Sequence, residues 1–195
     1  MTKGMIKTVL IGAALALGGC AAKLPPVEAT RFHLGQPIAA GTIHVEPLPG
    51  SGGGLELQTY MNAVQGELVR LGYPVSSAEA AGYIVTVAVE RDTREALAAR
   101  SPVSVGVGGA AGGYGSGLGV GVGISLGGRA RDTIITELRV QMKQRMGGGL
   151  VWEGRAQMEA RDRTPAAQPG IAAGKLAGAL FKGFPGESGR TISVP

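Results

Sequence analysis

The chain has 195 residues, with 19 Lys and Arg against 14 Asp and Glu and a formal charge of +5. Two of those lysines, Lys3 and Lys7, lie in a leader-like start, and the arginines between Glu137 and Arg163 are interspersed with acids. With aromatics at only 4% of the residues, this excludes a basic, stacking nucleic-acid surface.

In chain order, Lys3 and Lys7 precede an apolar run from Thr8 to Leu17 that is too short to stay in a bilayer as a spanning helix. It reads as a processing signal over residues 1–19. The run closes on Leu17-Gly18-Gly19-Cys20, which is similar to the lipobox of bacterial lipoproteins. That resemblance implies that Cys20 is acylated, palmitate included, and becomes the mature N-terminus. Ala21 in place of an aspartate resembles lipoproteins forwarded to the outer membrane. The protein is therefore expected in the cell envelope, facing the periplasm. One acyl chain holds weakly and several hold firmly, because each buried methylene contributes about 0.8 kcal/mol. Cys20 is the only cysteine, so no disulfide forms within the chain.

Residues 20–30, with Pro25 and Pro26 and no periodicity, read as a lipidated tether. Residues 31–195 then read as one domain, since the roughly 175 residues left after the signal suffice for a single core but not comfortably for two. Its first segments, "RFHL" and "GTIHVEPL", have strand composition and carry His33 and His44. From Leu55 to Leu71, the positions Leu57, Tyr60, Met61, Val64, Leu68 and Leu71 form one apolar side of a helix that Gly72 stops. A strand "AGYIVTVAVE" follows, apolar on both faces. From Thr133 to Arg145, the positions Ile134, Thr136, Leu138, Val140 and Met142 alternate with Glu137, Arg139, Gln141 and Lys143. Gly147–Gly149 supply a turn. The returning strand points Leu150, Trp152, Gly154, Ala156 and Met158 inward, which predicts a long antiparallel hairpin with one wet face. A last helix is predicted from Pro169 to Lys182, with Gly170, Gly174 and Gly178 on a stripe expected to pack closely on the sheet.

Between these elements, the Gly-rich insertion 103–128 contains no charged side chain. Leu118, Val120, Val122, Ile124 and Leu126 alternate with glycine or serine, and Val103, Val105 and Val107 do so before the break. Disordered spacers lack such alternation. The pattern predicts a hairpin with one aliphatic face and one bare face, where glycine marks a close approach or a bend; it either extends the domain's own sheet with its aliphatics toward the core, or turns that face to lipid or sister subunits, or forms an insert with no single structure. Those eight aliphatic residues are the candidate partner contacts.

Chemistry is not indicated. "GVGGAAG" misses the dinucleotide spacing, "GIAAGKL" lacks both the spacing and the hydroxyl of a phosphate loop, and no serine sits in a G-x-S-x-G turn. His33, His44 and Cys20 are too few and too scattered to build a metal site. No cofactor and no enzymatic activity are expected. Glu137, Glu153 and Glu159 read as partners in cross-strand ion pairs with neighbouring arginines.

The lipobox, the helix ending "ELVRLGY", the strand "YIVTVAV", the glycine-rich insert, the pair "DTIITELRVQM" and "GGGLVWEGRAQ", and the closing helix together resemble the DUF4136 family of bacterial envelope lipoproteins. The resemblance implies an α+β fold, a mostly antiparallel sheet with two helices on one face plus the glycine-rich hairpin. It carries over no catalytic residue. Two functions are expected in turn: a non-catalytic, outer-membrane-anchored domain that binds an envelope partner or itself, or an oligomer that inserts the hairpin into the membrane.

Overall fold

The computed structural model describes residues 24–95, 103–106, 121–124 and 132–195. In chain order the elements are β1 (Val27–His33), β2 (Ile43–Pro47), α1 (Leu55–Arg70), β3 (Tyr83–Arg94), β4 (Val103–Gly106), β5 (Gly121–Ile124), β6 (Thr133–Gln144), β7 (Leu150–Arg161), a 3-10 turn (Pro165–Ala167), α2 (Pro169–Phe181) and β8 (Thr191–Val194). Six strands form one sheet in the order β2-β3-β6-β7-β1-β8; β4 and β5 pair with each other in a separate two-stranded sheet, so among the described residues the hairpin does not extend the large sheet, contrary to the first expectation for it. Within the large sheet β2 and β3 run parallel and every other neighbouring pair is antiparallel. This is the expected α+β fold.

Each element follows from its sequence. The parallel β2–β3 pair needs a crossover, and α1 supplies it by burying Leu57, Tyr60, Met61, Val64 and Leu68 along one stripe. Gly72 ends that helix with φ +92°, in the left-handed region that an L side chain resists. The β6–β7 turn uses Gly147 at φ +88° and Gly148 at φ +65° for the same reason. Leu138, Val140, Met142, Trp152, Ala156 and Met158 then meet α1 and the Ala172, Leu176, Ala177 and Leu180 face of α2 in one core. The helices thus cover one face of the sheet. On the other face charges alternate along the strands.

Four local expectations change. Residues 27–30 are strand rather than tether, because β1 is paired on both sides, with β7 and with β8. Leu71 is 40% exposed, since it caps α1 rather than continuing its buried stripe. Leu150 is 43% exposed: the register shifts between Met142 and Lys143, so Trp152 still faces Met142 while Leu150 faces Lys143. A bulge of this kind turns one residue out of the alternation. The glycine stripe of α2 is also not the packed one. A Cβ on Gly170 or Gly174 would meet nothing within 4 Å, and one on Gly178 would meet only Glu67 Oε1 of α1 at 3.6 Å. The alanines on the neighbouring stripe make the close contact instead.

One glycine is dictated by space. A Cβ on Gly154, mid-strand in β7, would lie 2.8 Å from Leu180 Cδ1 and 2.9 Å from Trp152 Cζ2. The indole of Trp152 lies over that gap and stacks on Phe181, with ring centroids 5.3 Å apart.

Candidate functional site: the two ends of the sheet

The strand register sorts the molecule into two ends. Arg94 lies opposite Thr133 and Thr133 opposite Arg161, and nearby Met158 lies opposite Val27 and Val27 opposite Val194. The start of β1, where the tether arrives, and both roots of the glycine-rich insertion therefore share one end. The two helices begin there too. Arg91 of β3 donates from Nη1 to Glu56 Oε1 in the first turn of α1 and from Nη2 to the Ala167 carbonyl just before α2, both at 2.7 Å. At the other end lie His33 opposite Trp152 and Tyr83 opposite Gln144.

Of the residues the sequence singles out, Val103 and Val105 sit in β4, and Val122 and Ile124 in β5. The register pairs Val103 with Ile124 and Val105 with Val122, and pairs Ser104 with Gly123 and Gly106 with Gly121. The register thus sets aliphatic residue types opposite aliphatic ones, and glycine or serine opposite glycine. Val107, Leu118, Val120, Leu126 and Cys20 lie outside the described residues.

The far end carries a feature that alternation did not announce. Phe32 is 46% exposed, Leu34 84% and Met146 80%, with Leu150 beside them. Two clefts meet on Leu34, Leu150 and Val151: one of about 240 Å³, also lined by Phe32 and Trp152, and one of about 120 Å³, also lined by Ile38 and Tyr83. Several polar groups beside them are engaged, while Gln36 and Gln144 also line the smaller cleft. The Trp152 indole N–H donates to the Pro185 carbonyl at 3.0 Å, and the Ser188 hydroxyl donates to the His33 carbonyl at 2.9 Å. His33 Nδ1 accepts from the Gly35 N–H at 3.1 Å, which leaves the proton on Nε2 to donate to the Gly186 carbonyl at 3.0 Å. Between them these clefts offer apolar contact at Leu34, Leu150 and Val151. Leu34 and Met146 lie in connecting segments, where strand and helix periodicity say nothing about exposure.

Arg31 is the other residue that went unflagged. It occupies an inward position of β1 and is 3% exposed. Its Nε donates to the Leu180 carbonyl at 2.7 Å, and its Nη2 to the Ala179 and Lys182 carbonyls at 2.8 and 3.1 Å. The guanidinium thus closes the C-terminus of α2, where orphan carbonyls concentrate negative potential. Burial lowers its pKa. Gly186 wraps over it so closely that a Cβ there would lie 2.8 Å from Nη1. The signal available in sequence was parity alone: Val27, Ala29 and Arg31 share one side of the strand.

On the open face Glu137 and Glu153 pair along their own strands with Arg139 and Arg155, and Arg139 reaches Glu90 across to β3 at 3.5 Å. Direct opposition would place Glu90 against Glu137 and Arg139 against Arg155, so the ion pairs run along strands and diagonally. Arg94 reaches Glu159 across β6 at 3.4 Å. Among the described residues no three His, Cys, Asp or Glu side chains gather as metal ligands, and no helix is long and apolar enough to cross a membrane.

Fold and surface together define an α+β fold whose six-stranded sheet has exposed apolar residues at one end and the roots of the glycine-rich insertion at the other. No family model matches the chain. It is 31% identical to the uncharacterized protein ZMO1243 of Zymomonas mobilis, in an alignment of 212 residues covering 87% of this chain and 80% of that protein. The chain belongs to the family of that protein. Among solved structures, it is similar to a PelC dodecamer from Paraburkholderia phytofirmans, at 13% identity over 78% of this chain and 95% of that one, with a TM-score of 0.46. A PDZ domain protein from Parabacteroides distasonis matches 94% of this chain and 42% of its own at 9% identity, with a TM-score of 0.51. The latter is a likeness of fold.

Proposed function

We propose that the protein is a lipoprotein anchored in the outer membrane through acyl chains on Cys20, with a non-catalytic periplasmic domain that binds an envelope partner. The observation that carries this reading is Leu17-Gly18-Gly19-Cys20 followed by a short proline-bearing arm into β1. The arm enters at one end of the sheet. The exposed Phe32, Leu34 and Met146 lie at the other, where a partner has access without competing with the bilayer. Exposed apolar groups gathered at one place mark contact surfaces on soluble domains.

The anchor is tested by growing cells with labelled palmitate. The wild-type chain incorporates label and floats with outer-membrane vesicles, while Cys20→Ser does neither; label retained by Cys20→Ser removes the reading. The partner surface is tested with a photo-crosslinking residue at Leu34 and, as control, at Asn62 on the exposed side of α1. A discrete adduct from Leu34 alone is expected, and equal patterns from both positions overturn the assignment.

A further inference from the structure

We propose that the far end of the sheet is a docking groove for an extended, acidic peptide segment of the partner, which places apolar side chains in the two clefts and carboxylates against Lys143 and Arg145. This deepens the partner reading and rests on it.

The groove is continuous, because Leu34, Leu150 and Val151 line both clefts. Their volumes, about 240 and 120 Å³, fall below the roughly 300–1,000 Å³ of sites that enclose a small molecule. Single side chains fit such spaces better than a cofactor does. The strand register exposes the groove's centre: β6 and β7 shift between Met142 and Lys143, so Leu150 falls opposite Lys143. Residues directly opposite share a face, and an aliphatic group and a cation are therefore presented side by side.

Charge selects the occupant. Lys143 and Arg145 flank Gln144, which lines the smaller cleft. Among the described residues neither of them is in an ion pair, and nor is Lys182 at the end of α2. Arg145 donates from Nε to the Ala81 carbonyl at 2.9 Å, a bond that orients the guanidinium without neutralising it. The acids beside the groove are held by cations of their own, Glu153 by Arg155 at 3.0 Å and Glu187 by Arg190 at 2.9 Å. Glu79, in the turn before β3, offsets Arg145 only at longer range. Uncompensated cations beside Leu34 and Met146, 84% and 80% exposed, favour an acidic partner and steer its approach.

An extended backbone suits the rest of the lining. Each peptide group carries a donor and an acceptor, and a primary amide matches both. The side-chain amides of Gln36 and Gln144 make no hydrogen bond among the described residues, so they are available to such a backbone. Successive side chains of an extended segment alternate in direction; apolar residues enter the clefts while the acidic ones between them lie toward the rim. A bilayer surface would meet the protruding Leu34 and Met146 and leave the clefts unfilled.

The test uses the full lipidated chain in nonionic detergent, titrated by fluorescence anisotropy with a labelled peptide that alternates leucine with aspartate. One control alternates leucine with lysine and the other serine with aspartate. The leucine–aspartate peptide is expected to bind at least tenfold more tightly than either control. It loses at least threefold in affinity between about 0.1 and 1 M salt, as the screening length falls from about 10 to 3 Å. Leu34→Ser weakens it at least fivefold, and Lys143→Glu brings the aspartate and lysine peptides within threefold of each other while the melting temperature is unchanged. Equal binding of the aspartate and lysine peptides by the wild-type chain, or saturable binding of none, overturns the peptide assignment. A discrete adduct from Leu34 in cells then leaves the partner surface itself standing, whereas its absence marks failure of the partner reading. Two further results also overturn the assignment: a dimer in detergent that Leu34→Ser abolishes, and, in phosphatidylethanolamine–phosphatidylglycerol vesicles, quenching of a fluorophore at Met146→Cys by lipid-borne quenchers.

Discussion

Arg31 is a cation among apolar neighbours with three backbone carbonyls for company. A methionine of similar length fills the space but strands those carbonyls, so Arg31→Met is expected to lower the unfolding free energy by about 3 kcal/mol in urea titration. Arg31→Lys recovers less than half of that, because an ammonium lacks the planar fork that serves Leu180, Ala179 and Lys182 at once. Tyr60 poses the opposite problem: its buried hydroxyl lies near Thr136 without a hydrogen bond of ordinary geometry. Burial pushes that hydroxyl above its ordinary pKa, with Arg91 opposing and Glu56 reinforcing the shift. A raised value in the folded state favours the neutral phenol. Stability from this source is therefore complete below about pH 10, the unfolded value, and is lost as pH climbs toward the folded value. Tyr60→Phe is expected to flatten part of the fall in melting temperature above pH 10, the remainder belonging to Tyr73, whose pKa burial also raises.

At the scale of elements, α2 shows how periodicity can point to the wrong stripe. Glycines four apart suggested the packed side, yet alanine is small enough for close approach, and Gly170 and Gly174 face open space. Gly174→Ala is accordingly expected to stabilise the protein by about 0.5–1 kcal/mol, read as a higher urea midpoint at unchanged slope. The strands were more legible. Alternation in β6 and most of β7 predicted the buried face residue by residue, because a pleated strand offers side chains only two directions. It failed at Leu150, since a bulge depends on how two strands meet and not on either strand alone. The glycine-rich insertion interrupts a ladder that closes without it, Arg94 opposing Thr133. Replacing residues 96–131 with Asn-Gly, a favoured hairpin turn, is expected to leave the melting temperature within about 4 °C of wild type.

Across the whole molecule, one end of the sheet gathers the tether, the insertion roots and both helix starts, and the other gathers Phe32, Leu34, Met146 and Leu150. On the proposed function, the membrane lies at the first of these ends and the partner contact at the second. The fold class, both helices and the long β6–β7 hairpin were readable from residues in order, because each depends on local chemistry: a period of two or near four, a glycine at a turn. The shared end, the apolar patch, the Arg31 cap and the pairing of charges along strands were decided only in three dimensions. Each joins residues far apart in the chain, and the strand order β2-β3-β6-β7-β1-β8, which no single segment encodes, sets which of them meet.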